Sequence, residues 1–306
     1  MNTRREGGLP IWGVASKEEK AQVKFEQRSL WKDAVLRFKR NKLSVGAFVL
    51  VIFLVLFALM ASVYAPEGYD KQVYTEAWQP PSSAHIMGTD PFGRDVLARI
   101  MYGARISLLV AVVVNTASLV IGVPIGAAAG WFGGALDYAL TRLIDIMSAF
   151  PTLLFAILLM AVLGSGLVNL FIAMSITAWI GTARLVRGQI LALREQDYTL
   201  AAQSIGATSW HIIWRHMLPN SLTPLIVSVT LGIPSAIISE AGLSFLGIGV
   251  NAPMPSWGKM LQEYLPYMHT HGYLSVFPAI MIALTMYAFT LFGDGLRDAL
   301  DPSLKD

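Results

Sequence analysis

The run from Val45 to Ala65 constrains this chain more than any other feature, because 21 consecutive residues carry no charge. An α-helix rises about 1.5 Å per residue, so such a run crosses the roughly 30 Å of hydrocarbon in a bilayer. Thirteen of its residues are Val, Ile, Leu or Phe, and each favours insertion by about 0.3 to 0.6 kcal/mol near the membrane centre. A cleavable leader has a short basic start and a shorter apolar core. Here a largely polar stretch comes first, and Val63-Tyr64-Ala65 is a poor cleavage site, so the segment is expected to stay attached.

Further candidate spans follow at Ile106–Ala129, about Leu143–Leu163, Leu167–Ile180, about Leu222–Leu243 and Tyr273–Phe292. The expected fold class is therefore all-α, a polytopic membrane protein with about six transmembrane helices. With 55% hydrophobic and 14% charged residues, the chain exceeds what a soluble surface tolerates. Its formal charge of +3 gives no sign of a nucleic-acid partner, and the absence of cysteine removes disulfides and thiolate chemistry. Pro124, Pro151, Pro234 and Pro278 interrupt the spans. Two readings are open for them, simple kinks or breaks that line a transport cavity.

Orientation follows from Lys and Arg, which favour the cytoplasmic side. Lys32, Arg37, Lys39, Arg40 and Lys42 immediately precede the first span, which puts the amino terminus inside. Six crossings then put Arg184, Arg187, Arg194 and Arg215 inside as well, together with the tail. The expected layout is a cytoplasmic segment 1–44, a first transmembrane helix 45–65, an extracytoplasmic loop 66–105, a five-helix core 106–293 enclosing a cytoplasmic loop 184–220, and a cytoplasmic tail 294–306. Leu30, Trp31, Ala34, Val35 and Phe38 recur at helical spacing with cations on the other faces. They predict an interfacial helix, either a membrane anchor or a contact for a partner subunit.

The segment from Asp197 to Asn220 reads as two short helices forming a knob. Tyr198, Ala201, Ala202 and Ile205 share one face, Gly206 permits a sharp turn, Ser209 is placed to cap the second helix, and Pro219 is a boundary. Small residues at Ala201, Ala202, Ser204, Gly206 and Ala207 would let a partner's groove close on this backbone. An ordinary helical connection is the bland alternative.

This segment resembles the loop signature of permeases in binding-protein-dependent ABC importers: Glu-Ala-Ala, three residues, Gly, nine residues, then Ile-x-Leu-Pro. Ala201, Ala202, Gly206, Leu218 and Pro219 keep its spacing, while Leu200 stands at the acidic position and His216 at the isoleucine. DYTLAAQSIGA followed by HMLPN is similar to the oligopeptide and dipeptide branch. So are HIMGTDPFGRDVLARIMYGARISLL from His85, LSFLGIGVNAPMPSWGKML from Leu243 and GDGLRDALDP from Gly293. The resemblance spans nearly the whole chain from about Leu30 and points to a C-type permease subunit of the type I, MetI-like importer fold. It implies a homologous second permease, two ATP-binding subunits, an extracytoplasmic substrate-binding protein and the lipid bilayer as partners. It also implies an ATPase-coupling role for Tyr198, Ala201, Ala202, Gly206, Ala207, His216, Leu218 and Pro219, moving as ATP drives alternating access. Relatives of that branch also import nickel or oligosaccharides, so peptide is the leading substrate class among several.

The chain lacks a phosphate-binding Gly-x-x-x-x-Gly-Lys loop, since Gly258-Lys259 has no upstream glycine at the required spacing. No catalytic residue or cofactor of its own is expected, and ATP hydrolysis falls to a partner. Asn115, Asp145 and Glu240 are candidate pathway residues because polar groups within spans are costly. Their alternatives are interhelical bonding for Asn115, an i, i+3 pair of Arg142 with Asp145, and a bond from Glu240 to helix backbone. His211 and His216, five apart, do not stack on one α-helical face, and His269 and His271 lie in a loop, so no metal site is expected. Asp90, Arg94 and Asp95 either cap turns or dock a partner. A self-contained secondary carrier or channel remains the other function class, and would be expected to bury ion-coupling carboxylates deep in its spans.

Overall fold

The structure, a computed structural model, describes residues 30–300, so the expected amino-terminal segment before Leu30 and the tail beyond Leu300 lie outside the described residues. The described residues form helices joined by loops, the longest loop running over 65–95, with no strand among them and a single isolated bridge between Thr89 and Asp95. Besides the short turns Ala61–Tyr64 and Leu218–Asn220, the α-helices in chain order are α1 (Leu30–Arg40), α2 (Lys42–Leu59), α3 (Val96–Phe132), α4 (Gly134–Ser148), α5 (Thr152–Leu163), α6 (Leu167–Arg194) and α7 (Asp197–Ser204). They continue with α8 (Ser209–Ile212), α9 (Leu222–Phe245), α10 (Trp257–Tyr264) and α11 (Tyr273–Leu300). Five of them are long and apolar enough to cross a bilayer, and a sixth span results if α4 and α5 count as one.

Helices stand at the spans expected from hydropathy, α6 running past the expected Ile180 to Arg194, and two further differences have a local physical cause. The third span is not straight: α4 and α5 meet at 80° across the break at 149–151. Pro151 is the N-cap of α5, and its missing N–H and ring prevent the ladder from running through. Pro124, Pro234 and Pro278, by contrast, sit inside unbroken α3, α9 and α11.

The second difference is the start of α3. Residues 96–105, expected in a loop, form its first turns because Asp95 caps the helix by accepting from Ala98 N at 2.8 Å. Arg105, which looked like a loop residue, instead reaches the end of α2. Its guanidinium donates to Ala58 O at 2.6 Å and Leu59 O at 2.6 Å, supplying orphan carbonyls at a helix terminus where positive charge is favoured.

α3 and α6 form the closest packed pair. Gly122, Gly126 and Gly130 lie one turn apart against α6, and a Cβ on Gly126 would stand 2.4 Å from Ala183 O. Without side chains here the two backbones approach directly, as small residues allow in membranes. α2 meets α11 similarly, with Ser44 Oγ occupying the space beside Gly295. α11 continues past the expected end at Phe292 to Leu300, and Phe38 of α1 packs edge-on against Phe48 and Phe292 at 6.2 and 5.8 Å. The contacts of Leu30 and Trp31 lie outside the described residues.

The largest core cluster joins α2, α3, α5, α6, α9, α10 and α11 through residues such as Leu54, Ile100, Met160, Leu170, Ile237 and Trp257. A second cluster of Trp131, Val186, Ile190, Ile212, Ile213 and Met217 fastens the Asp197–Asn220 knob to the ends of α3 and α6. Large apolar side chains such as Phe53, Val112, Val120, Val162 and Val168 remain exposed on the bundle, as a surface solvated by lipid requires.

Candidate functional site

The knob is built on the end of α6. Thr199 Oγ1 donates to Leu193 O at 2.8 Å, which sets the rotation of α7 and turns Thr199 and Ala202 inward, at 0% and 8% exposure. Tyr198, Ala201 and Ile205 share the opposite, exposed face. Ala202, expected beside them, belongs to the buried side.

α7 ends in a Schellman turn. Ala207 N donates to Ala202 O at 3.0 Å and Gly206 N to Gln203 O at 2.9 Å, with Gly206 in the left-handed region at φ +82°. Gly206 has open space where a side chain would stand, so its requirement is conformational and its surface is bare backbone. Thr208, rather than Ser209, caps α8, accepting from His211 N at 3.4 Å.

The chain then widens into a π-turn over Ile213–Met217, closed by Leu218 N donating to Ile213 O. Pro219 follows directly, and a wider turn accommodates a residue that cannot donate and whose ring crowds the preceding turn. The same turn corrects the reading of His211 and His216. A five-residue separation does face one side in a π-turn, and their ring centroids lie 5.9 Å apart. Tyr198 completes this row at 6.4 Å from His216. Leu218 is half-buried, Ala207 is half-buried and Pro219 is exposed.

The outer surface of the knob is apolar for a protein end rich in polar groups. Ile205 is 84% exposed, Trp210 67% and Trp214 60%, while Ile212, Ile213 and Met217 beneath them are buried. Large apolar groups thus stand exposed here in the same segment as the bare backbone of Gly206.

Of the candidate pathway residues, Asn115 faces a cavity. It lines a space of about 240 Å³ between α3, α5, α6 and α9, with Ser118, Thr152, Thr177, Ser235 and Ser239. Its amide donates to Ala111 O at 2.8 Å, and its Oδ1 fits against Gly232, where a Cβ would stand 2.1 Å away.

Asp145 lies on the surface, accepting from Arg184 at 3.2 Å with Arg142 at 3.9 Å. Glu240 is sealed at 0% exposure, accepting from Ser107 Oγ at 3.0 Å and Ser244 Oγ at 2.7 Å. Its partners are side-chain hydroxyls rather than helix backbone.

A charged network at the opposite end of the bundle was not evident from spacing. Arg94 Nε donates to Asp90 at 2.6 Å, and Arg94 and Arg99 both donate to Glu263 Oε2, at 3.1 and 2.7 Å. Asp90 also accepts from the backbone of Phe92 and Arg94. These residues therefore hold the loop to α3 and α10, and Asp90 and Arg94 are too buried to meet a partner. Burial also pushes the Tyr264 phenol above its ordinary range, so it stays protonated beside Arg99. The segment WGKMLQEY could have signalled α10 by its capping Ser256, which accepts from Lys259 N at 3.2 Å, and by its apolar stripe Trp257, Met260 and Tyr264.

Residues 122–306 match the family described as binding-protein-dependent transport system inner membrane component, and residues 29–81 match the N-terminal TM domain of oligopeptide transport permease C. The chain is 43% identical over 292 residues to the oligopeptide transport system permease protein OppC of Bacillus subtilis, covering 95% of this chain and 96% of that protein. It is 42% identical over 298 residues to the dipeptide transport system permease protein DppC of the same organism, covering 96% and 93%. It is 42% identical over 308 residues to the glutathione transport system permease protein GsiD of Escherichia coli, covering 100% and 99%. Among solved structures, an inward-facing MetNI methionine ABC transporter superposes with a TM-score of 0.53 at 19% identity, covering 66% of this chain and 96% of that one. A multi-pass membrane bundle with this knob, matched along nearly its full length, belongs to the binding-protein-dependent ABC importer permeases.

Proposed function

We propose that this chain forms half of the translocation pathway of a peptide importer and receives its driving force through the Asp197–Asn220 knob. Tyr198, Ala201, Gly206 and the exposed Ile205, Trp210 and Trp214 meet one of two ATP-binding subunits, while Ala202, Ala207, His216, Leu218 and Pro219 shape and anchor the knob. The observation that carries this reading is the knob itself. Ile205 is 84% exposed beside a glycine whose backbone is uncovered, yet the base of the knob is locked into the core formed by α3 and α6. Such a surface loses water on docking, and its anchored base passes a push on to α3 and α6.

The knob and both chain termini face the cytoplasm in this reading, in keeping with the crowd of Lys and Arg before α2. α1 lies at the membrane interface. A homologous permease pairs with this one, and an extracytoplasmic binding protein delivers substrate to the end held by Asp90, Arg94, Arg99 and Glu263. Relatives named for oligopeptides, dipeptides and glutathione favour a peptide substrate. The cavity wall at Asn115, Ser118, Thr177 and Ser239 belongs to the pathway. Its hydroxyls are largely engaged with backbone carbonyls, Ser239 donating to Ser235 O of its own helix at 2.8 Å and Ser118 to Ala178 O across on α6 at 3.0 Å. A wall with satisfied, uncharged groups passes a substrate without gripping it, which leaves selection to the binding protein.

Purification under mild detergent tests the proposal. The expected result is a complex holding a second permease and two ATP-binding subunits that drives ATP-dependent peptide uptake in liposomes. Uptake by this chain alone, as a secondary carrier would show, overturns it.

A further inference from the structure

α4 touches its neighbours through little apolar surface. Ile144 is its one buried residue, plugged against Trp179, Ile180 and Ala183 of α6. Charged groups flank that plug. Arg187 donates twice to Asp137, at 2.6 and 2.6 Å. Arg184 donates to Asp145 at 3.2 Å and to Ser148 Oγ at 2.9 Å.

At about 1.5 Å per residue, Asp137 and Asp145 stand about 12 Å apart along α4, whereas Arg184 and Arg187 stand about 4.5 Å apart along α6. The two ion pairs therefore hold α4 to α6 on both sides of Ile144. Ser148 ends α4 at the break, and beyond the 80° bend α5 carries Thr152, Leu153 and Ala156 into the cavity wall. In the other direction, α6 leads to α7, tied back to it by Thr199.

We infer that Arg184 and Arg187, with Asp137 and Asp145, are positioning residues that convert displacement of α7 into movement of α5 at the cavity. This rests on the reading of α7 as part of the ATPase-facing knob. A bidentate guanidinium–carboxylate pair keeps its direction and register as helices shift, whereas an apolar contact such as Ile144 slides. Only residues 149–151 separate the end of α4 from the start of α5, so the clamp on α4 sets where Thr152 and Leu153 sit in the cavity wall. A chain of contacts amounts to coupling only when perturbing it changes the response of one end to the other.

The test uses the full importer in proteoliposomes, measuring peptide delivered per ATP hydrolysed. Asp137→Asn is expected to retain both ATP-binding subunits and to hydrolyse ATP, with the peptide-to-ATP ratio reduced about tenfold, a typical size for coupling between two sites. Exchanging the charges, Asp137→Arg with Arg187→Asp, restores most of that ratio. Arg184→Gln, whose ion pair is roughly half exposed and so carries little folding risk, lowers the same ratio to a smaller extent. An unchanged ratio in Asp137→Asn overturns the inference, as does an intact charge-exchanged complex with no recovery. Loss of the ATP-binding subunits from Asp137→Asn overturns it as well, because the pair would then serve docking. Failure of the underlying proposal looks different, since the unmodified chain itself would lack those subunits.

Discussion

Replacing Glu263 with Gln removes one charge and almost no volume, and the structure says what that costs. Arg94 and Arg99 are 5% and 0% exposed, and two carboxylates balance them: Asp90, fully buried, and Glu263, 18% exposed. In Glu263→Gln the two guanidiniums share Asp90 alone, and Arg99 lies 3.9 Å from it. Breaking a buried pair by removing one partner costs about 3 to 5 kcal/mol. The residual exposure of Glu263 lets water screen the leftover charge and sets the expected loss near about 3 kcal/mol.

Equilibrium unfolding in mixed micelles measures this loss, and Arg99→Met supplies the second arm of a double-mutant cycle. With the orphaned cation gone, Glu263→Gln in that background is expected to cost much less, an interaction energy of about 2 kcal/mol. A loss within about 0.5 kcal/mol of zero for Glu263→Gln, the range of an ordinary surface substitution, would refute the idea that this network holds α3, α10 and the preceding loop together.

Two further outcomes follow from the glycines, one at a close approach and one at a left-handed turn. Gly126→Val places a Cβ 2.4 Å from Ala183 O and 2.8 Å from Val186 Cβ, so α3 and α6 must separate; loss of the monodisperse detergent-solubilised peak on size exclusion is expected, and normal elution would contradict it. Gly206→Arg meets open space within this chain but demands a left-handed arginine, at about 1 to 2 kcal/mol. The variant is expected to insert in the membrane in normal amount yet to co-purify without ATP-binding subunits, and a full complement of them would count against the knob as their seat.

The spans were legible because apolar length in a bilayer leaves few alternatives. What stayed hidden were the places where a charge or a proline meets a partner remote in sequence. Arg99 and Arg105 made the start of α3 look like loop, since nothing local reveals that one ends on Glu263 and the other on the carbonyls of α2. The break at Pro151 was invisible to hydropathy, which stays high on both sides of it. α10 has only 8 residues and carries Lys259 and Glu263, so its burial depends on the surrounding helices. The knob was readable in its small residues and Gly206. Its rotation was not, because the Thr199 bond to Leu193 O chose the face, and neither was the π-turn that aligns His211 with His216. Glu240 and Asp145 drew attention as costly charges, and their partners on other helices, Ser107 and Arg184, were not legible from spacing.

The orientation and occupancy of the knob decide the whole account, and the chain offers a clean way to measure them, since it contains no cysteine. Ile205→Cys introduces a single thiol at a position 84% exposed in the free chain. A membrane-impermeant maleimide is expected to leave it unlabelled in intact cells and in inside-out vesicles holding the assembled importer. Labelling is expected in inside-out vesicles once the ATP-binding subunits have been stripped away. Labelling in intact cells, or equal labelling with and without those subunits, would contradict it.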